Sequence, residues 1–221
     1  MTEEFSGLHE DMYRFFWEIA FHNEEAFYRE NLERYKQEVK IPLYALAAKL
    51  LPAALKMDER FSTRLTAIVS KIRKDTRYSH DGMPFRDHAW IAFKYPGNSV
   101  SMAFTPYIEF NRDSWGYGMG MYAPDAGLME PIRSRILSSP DTFLDLVHEE
   151  NFSKHFRTEG ISYVKKKFFH KDPEIESYLN RRQLVFCYES RDLRPTMEPC
   201  IVDICTQALE MMRPVYRFLL K

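Results

Sequence analysis

Apolar residues in the first quarter of the chain recur at helical intervals. Over residues 8–22 they fall at Leu8, Met12, Phe15, Phe16, Ile19 and Ala20, one face of an amphipathic helix, with Ser6 ahead of them as a cap. Residues 23–42 repeat the pattern, with Phe27, Tyr28, Leu32, Tyr35 and Val39 on one stripe. Pro42 is expected to stop or turn that helix, because its ring removes a backbone donor. The stretch LYALAAKLLPAALK, residues 43–56, predicts a third helix kinked at Pro52.

From about Phe61 the period shortens. LTAIVSKI (65–72), HAWIAFKY (88–95), SVSMAFTPYIEF (99–110) and WGYGMGMY (115–122) are short, β-branched or aromatic, and bounded by Gly, Pro, Asn and Asp, which predicts strands. No long helical pattern separates them, so their sheet is expected to be mainly antiparallel. In the last of them Trp115, Tyr117, Met119 and Met121 face one way, and Gly116, Gly118 and Gly120 the other. Glycine weakens a strand interior, so the bare side implies that another backbone, a packed helix or a ligand comes close. Helical patterns resume over 123–137 and 138–152, the second with Ser139 as cap and Pro140 at its first position. QLVFCYES (183–190) reads as a further strand, and residues 198–220 as a terminal helix interrupted near Pro214. The sum is an α+β fold: one domain over 1–221, with a mainly antiparallel sheet flanked by an N-terminal helical layer and C-terminal helices.

Composition narrows the function classes. A formal net charge of −1 over 221 residues supplies no overall field to gather nucleic acid or anionic lipid. Cys187, Cys200 and Cys205 form no CxxC pair, which suits buried thiols in a reducing compartment rather than a disulfide framework. The opening residues are acidic and lack a long apolar run, so neither a signal peptide nor a membrane span is expected and a cytoplasmic location is.

The densest chemistry lies over residues 71–93. Lys71, Arg73, Lys74, Arg77 and Arg86 are interleaved with Asp75, Asp81 and Asp87, and Gly82 and Pro84 mark a turn among them. Guanidinium groups fork onto carboxylates, so one reading is a self-contained latch that fixes the turn. The other is a site for an anionic small molecule bearing phosphate or carboxylate: Arg77, Arg86, Ser79 and His88 hold the anion, while Asp75 and Asp81 orient them or act as acid and base. In the latch reading the protein is a non-catalytic interaction module whose aromatic surface, including Tyr117 or Trp115, meets a protein partner. Asp75, His80, Asp81, Asp87 and His88 match no zinc or calcium spacing, so no metal is assigned. No nucleophile elbow, Walker loop or dinucleotide fingerprint occurs, and no cofactor is indicated. Lys165, Lys166, Lys167 and Lys171, with Phe168 and Phe169 among them, suit a solvated edge strand better than a nucleic-acid surface. His148 and His155 are expected to share a helix face.

Several motifs together resemble the bacterial and fungal family of conserved hypothetical proteins DUF2461. They are His22-Asn23, Phe27-Tyr28, Asn31, Tyr35 and Pro42; the central Lys74-Asp75-Thr76-Arg77-Tyr78-Ser79, Asp81 and Pro84-Phe85-Arg86; and the later GYGMGMYAP, YVKKKF and YLNRR. Gly82 and Leu32 stand where the family usually has lysine. The resemblance spans nearly the whole chain and implies a fold group; it brings no activity with it.

Overall fold

The computed structural model describes residues 5–75, 82–100 and 103–221. Its sheet is antiparallel, with strands β1 (Ala89–Ala92), β2 (Phe104–Phe110), β3 (Trp115–Met121), β4 (Arg157–Glu159) and β5 (Val185–Ser190) in the order β1-β2-β3-β5-β4. β2 and β3 form a hairpin closed by Asn111 N–H donating to Ser114 O at 2.8 Å. Ile91, Ile108, Tyr117, Met119 and Phe186 line one buried face of the sheet. Burying such a face is what holds a sheet of this size to its helices.

The helices are α1 (Glu10–Phe21), α2 (Glu25–Glu30), α3 (Leu32–Arg34), α4 (Ile41–Met57), α5 (Leu65–Ile68), α6 (Ala126–Ser138), α7 (Pro140–His148), α8 (Glu150–His155), α9 (Pro173–Leu179) and α10 (Ile201–Leu220). α10 buries Ile201, Cys205, Ala208, Leu209, Met212, Val215, Tyr216 and Leu219, a stripe at three-to-four spacing. That stripe touches both α4 and the central strands β2 and β3.

The prolines depart from expectation. The chain does not turn at Pro42, because a π turn over Tyr35–Lys40 runs straight into α4. Ile41 N–H bonds Lys36 O, five residues back, so the bonding register shifts just where proline lacks a donor. Pro42 then occupies the first turn of α4, where an N–H has no intrahelical partner in any case. α4 contains Pro52, in keeping with the expected helix there, whereas α10 is not interrupted at Pro214; both prolines sit on exposed faces while the two helices pack on each other, and tertiary packing outweighs local propensity. Residues 65–72 are not a strand: α5 takes one helical turn, and Val69 then makes an isolated bridge to Ile91. The α1 cap is His9 rather than Ser6, and Ser139 makes no side-chain capping bond, although Pro140 opens α7 as expected. Residues 164–171 are not an edge strand; β4, just upstream, is. His148 and His155 sit on different helices, α7 and α8. Cys187 and Cys205 are buried, whereas Cys200 is exposed.

Candidate functional site

The stem of the charged bend is a short antiparallel pairing. Arg73 bridges Phe85, Lys74 N–H donates to Pro84 O at 2.9 Å, and Arg86 N–H donates to Ile72 O at 2.8 Å. Asn23, from the loop between α1 and α2, clamps the stem: its amide donates to Phe85 O at 3.0 Å and accepts from Phe85 N–H at 2.9 Å. Phe85 is fully buried and stacks on Tyr28 at 4.6 Å. Arg73 lies over both rings, 5.1 Å from Tyr28 and 4.9 Å from Phe85, and forks onto the two oxygens of Glu25. Its donors and its planar face are both engaged, so this half of the bend is a latch to the N-terminal helices.

Arg86 is different. Its Nη1 donates to two main-chain carbonyls, Lys71 O at 2.7 Å and Arg73 O at 2.5 Å, and its guanidinium lies 4.9 Å from the Trp90 ring centre. Among the described residues it has no ion pair, and Nε and Nη2 have no hydrogen-bond partner. Burial lowers its pKa, opposed by the Tyr122 phenol and the Asp75 carboxylate. Bonded, among the described residues, to neutral oxygens alone, this half-buried guanidinium has donors left that suit an anion.

His88 and Asp87 come next. His88 Nδ1 stands 3.0 Å from Asp87 Oδ1, and its ring stacks on Trp90 at 5.5 Å. Asp87 Oδ2 faces Arg112 Nε at 3.4 Å, and Arg112 lies over Trp17 at 4.7 Å. Burial works against the Asp87 charge, but the bond to His88, its own N–H and the Arg112 charge hold its pKa below the ordinary value. Asp75 is exposed and engaged in contacts of its own. Arg77, Ser79 and Asp81, with His80, lie outside the described residues.

Trp90 carries the site onto the sheet. Trp90, Glu109, Gly116 and Glu189 are cross-strand neighbours in one row, and Tyr107, Gly118, Cys187 and Arg157 make another. These residues share the face opposite Ile91 and Tyr117. Burial raises the pKa of Glu109, with Glu189 adding to the rise and His88 opposing it. Burial likewise raises the Tyr107 phenol, and pushes the Cys187 thiol up to about 11. Arg157 is neutralised by Glu159 at 2.5 Å and Glu189 at 3.0 Å. Perturbed titratable groups gathered on one face make it a candidate site. The three glycines are explained by a neighbouring backbone: a methyl at residue 118 would stand 2.3 Å from Phe186 O, and one at residue 116 would stand 2.3 Å from Tyr188 O. Trp115 and Tyr117, expected at an aromatic docking surface, are instead 2% and 3% exposed and belong to the core. Alternation assigned them to one face correctly, but that face is the one α10 covers.

Sequence reasoning missed Trp90, Tyr107 and Glu109. A carboxylate in a strand otherwise spelled Phe-Thr-Pro-Tyr-Ile-Glu-Phe was the available signal. Among the described residues no group of three His, Cys, Asp or Glu is placed to hold a metal ion, and no helix is long and apolar enough to cross a membrane.

The sequence profile of the family described as conserved hypothetical protein (DUF2461) matches residues 11–218. None of the curated proteins matches the chain.

Proposed function

We propose that this chain, which belongs to the DUF2461 family, binds a small molecule carrying a phosphate or carboxylate group where the charged bend meets the Trp90–Glu109 row of the sheet. The observation that carries the reading is Arg86: stacked on Trp90, fixed by two carbonyls through Nη1, with no carboxylate paired to it among the described residues. A guanidinium presented in this way offers Nε and Nη2 as a fork that fits a planar carboxylate or one edge of a phosphate. His88, ordered by Asp87 and stacked on the same indole, is the adjoining donor. The sequence alone adds Arg77 and Ser79 as further contacts, with Asp75 and Asp81 orienting the cations or exchanging protons with the ligand. Glu109, kept neutral to higher pH by burial, is a proton donor on the same row.

The test reads the site itself. Inorganic phosphate, nucleotides and small carboxylates are titrated into the protein while the Trp90 indole N–H resonance is followed, assigned with Trp90→Phe. A ligand seated on Arg86 shifts that resonance with saturation, and Arg86→Gln, which removes the charge and the fork, abolishes the shift while the fold persists. If Trp90 stays unmoved by every anion, or Arg86→Gln responds like the parent, the reading is wrong and the bend is a latch only.

A further inference from the structure

A second cationic place lies away from the bend in sequence. Pro124, Asp125 and Ala126 at the start of α6, together with Arg133, Tyr163, Lys167 and Arg182, line a cleft of about 370 Å³. That volume falls within the usual range for small-molecule sites. Arg133 is 3% exposed. It donates from Nε to Leu179 O at 2.8 Å and from Nη2 to Arg181 O at 2.7 Å, which fixes it on the C-terminal end of α9. Both acceptors are neutral. The carboxylate near it is Glu130, 3.6 Å from Nη1, with a side chain 71% exposed to solvent.

Two more cations converge on the same place. Lys167 Nζ is 4.2 Å from the centre of the Tyr163 ring, and the Arg133 and Arg182 guanidiniums are 5.8 Å and 5.9 Å from it. Neither Lys167 nor Arg182 has an ion pair among the described residues. Elsewhere Arg34, Arg60, Arg73, Arg157 and Arg194 are paired with carboxylates, while Arg86 and Arg217 rest on main-chain carbonyls. The one acid in the lining, Asp125, is turned to capping α6: its Oδ1 accepts from Leu128 N–H at 2.7 Å. Three like charges around one ring repel, and Arg133, almost wholly withdrawn from water, has beside it only the solvent-exposed Glu130 among the described residues, so the arrangement favours a further counter-charge.

The walls are rigid. Asn180, 6% exposed, accepts from Lys167 N–H at 2.7 Å and Phe168 N–H at 3.2 Å, and donates to Phe168 O at 2.8 Å and Glu176 O at 2.9 Å. Tyr163 N–H donates to Asn180 O at 2.9 Å, and Phe168 lies 4.6 Å under the Arg133 guanidinium. The segment bearing Tyr163 and Lys167 is therefore held against Arg133 by main-chain bonds and needs no ligand to order it, which lowers the entropic cost of binding.

From this geometry we propose that the cleft binds a phosphate-bearing small molecule, its dianionic group received by Arg133, Lys167 and Arg182. A tetrahedral dianion accepts from several directions at once and so fits three converging donors better than a single carboxylate does. The site shares no residue with the bend, and each can fail without the other.

The test titrates pyrophosphate and inorganic phosphate into the full chain by calorimetry at constant ionic strength, with chloride as the reference anion. Lys167→Ala/Arg182→Ala removes two exposed side chains and leaves Arg133 in place. Pyrophosphate is expected to bind the parent, with affinity at least about tenfold weaker in the double variant and unchanged in Arg86→Gln. Loss of that binding in Arg86→Gln would assign it to the bend and overturn the cleft. So would equal affinity in the parent and the double variant, or no heat at millimolar pyrophosphate. Tighter binding of a single-stranded RNA oligomer than of pyrophosphate, lost in the same double variant, would also overturn it, making the surface a nucleic-acid contact.

Discussion

Replacing Gly118 with alanine sets two effects of opposite sign against each other. Removing a glycine stiffens the unfolded chain and stabilises the fold by about 0.4–1 kcal/mol where the backbone tolerates it. At residue 118 the added methyl would meet Phe186 O at 2.3 Å, Cys187 Cα at 3.0 Å and the Tyr107 hydroxyl at 3.0 Å. Non-bonded atoms settle at roughly 3.5–4.0 Å, so the first contact lies more than about 1 Å inside its optimum. The Tyr107 hydroxyl can swing aside. Phe186 O cannot, because β5 is paired with β3 from Trp115 to Gly120, and opening one position strains the ladder on either side. Overpacking of this kind costs about 1–3 kcal/mol; set against the entropic gain, the net is a loss of about 1–2 kcal/mol, or roughly 2–8 °C in Tm for a domain of this length. Gly127→Ala is the control: its methyl would meet only the Asp125 Oδ1 side-chain oxygen, at 3.2 Å, near the start of α6, and the expected change is within about 1 kcal/mol of the parent. Urea unfolding followed by circular dichroism, with slopes compared as well as midpoints, measures both. Gly118→Ala within about 0.5 kcal/mol of the parent, or a Gly127→Ala loss of the same size, would refute the argument that the β5 backbone excludes a side chain here.

Glu109 gives a pH test. Its folded pKa is raised, so what it contributes to stability is fully present below the unfolded carboxylate value, near ~4.3, and is lost as pH rises through the folded value. Glu109→Gln and the parent should therefore melt together in acid and diverge toward neutrality, with the variant more stable; parallel melting curves from pH 4 to 8 would contradict the burial argument. Asn180→Ala removes the side chain that binds Lys167 and Phe168. Amide exchange at those two positions should rise about tenfold or more, with a parallel loss of pyrophosphate affinity, and unchanged exchange would mean that other contacts hold the segment.

Elements whose burial follows a simple period were legible in the sequence. α1 and α10 carry their apolar stripe at helical spacing, and the Trp-Gly-Tyr-Gly-Met-Gly-Met alternation marked both a strand and the close approach of another backbone. Prolines were misleading, because the rule that they break helices concerns a missing donor, and at Pro42 the preceding π turn moves the bonding register. Residues 65–72 read as a strand from their β-branched content, yet of these only Val69 reaches a bridge partner. At the bend, sequence adjacency brought Arg73 and Arg86 under one heading, and geometry separates them: Arg73 is closed by Glu25, while Arg86 rests on Trp90. The cleft was beyond reach. Arg133, Tyr163, Lys167 and Arg182 lie in three unlike stretches of chain, and no local pattern says that they meet around one ring.

The pairing of β3 with β5 has a consequence for how the molecule is assembled. β1, β2 and β3 are successive and join through short-range contacts, so that half of the sheet can form early. β5 reaches β3 only after residues 122–184 have been laid down, a long loop whose closure is entropically slow. Arg133 and Tyr163 both lie inside that loop, and Arg182 at its end. The cleft is thus completed in the same late step that seals the sheet, and a chain arrested before that step would carry the stem of the bend without the second cationic pocket.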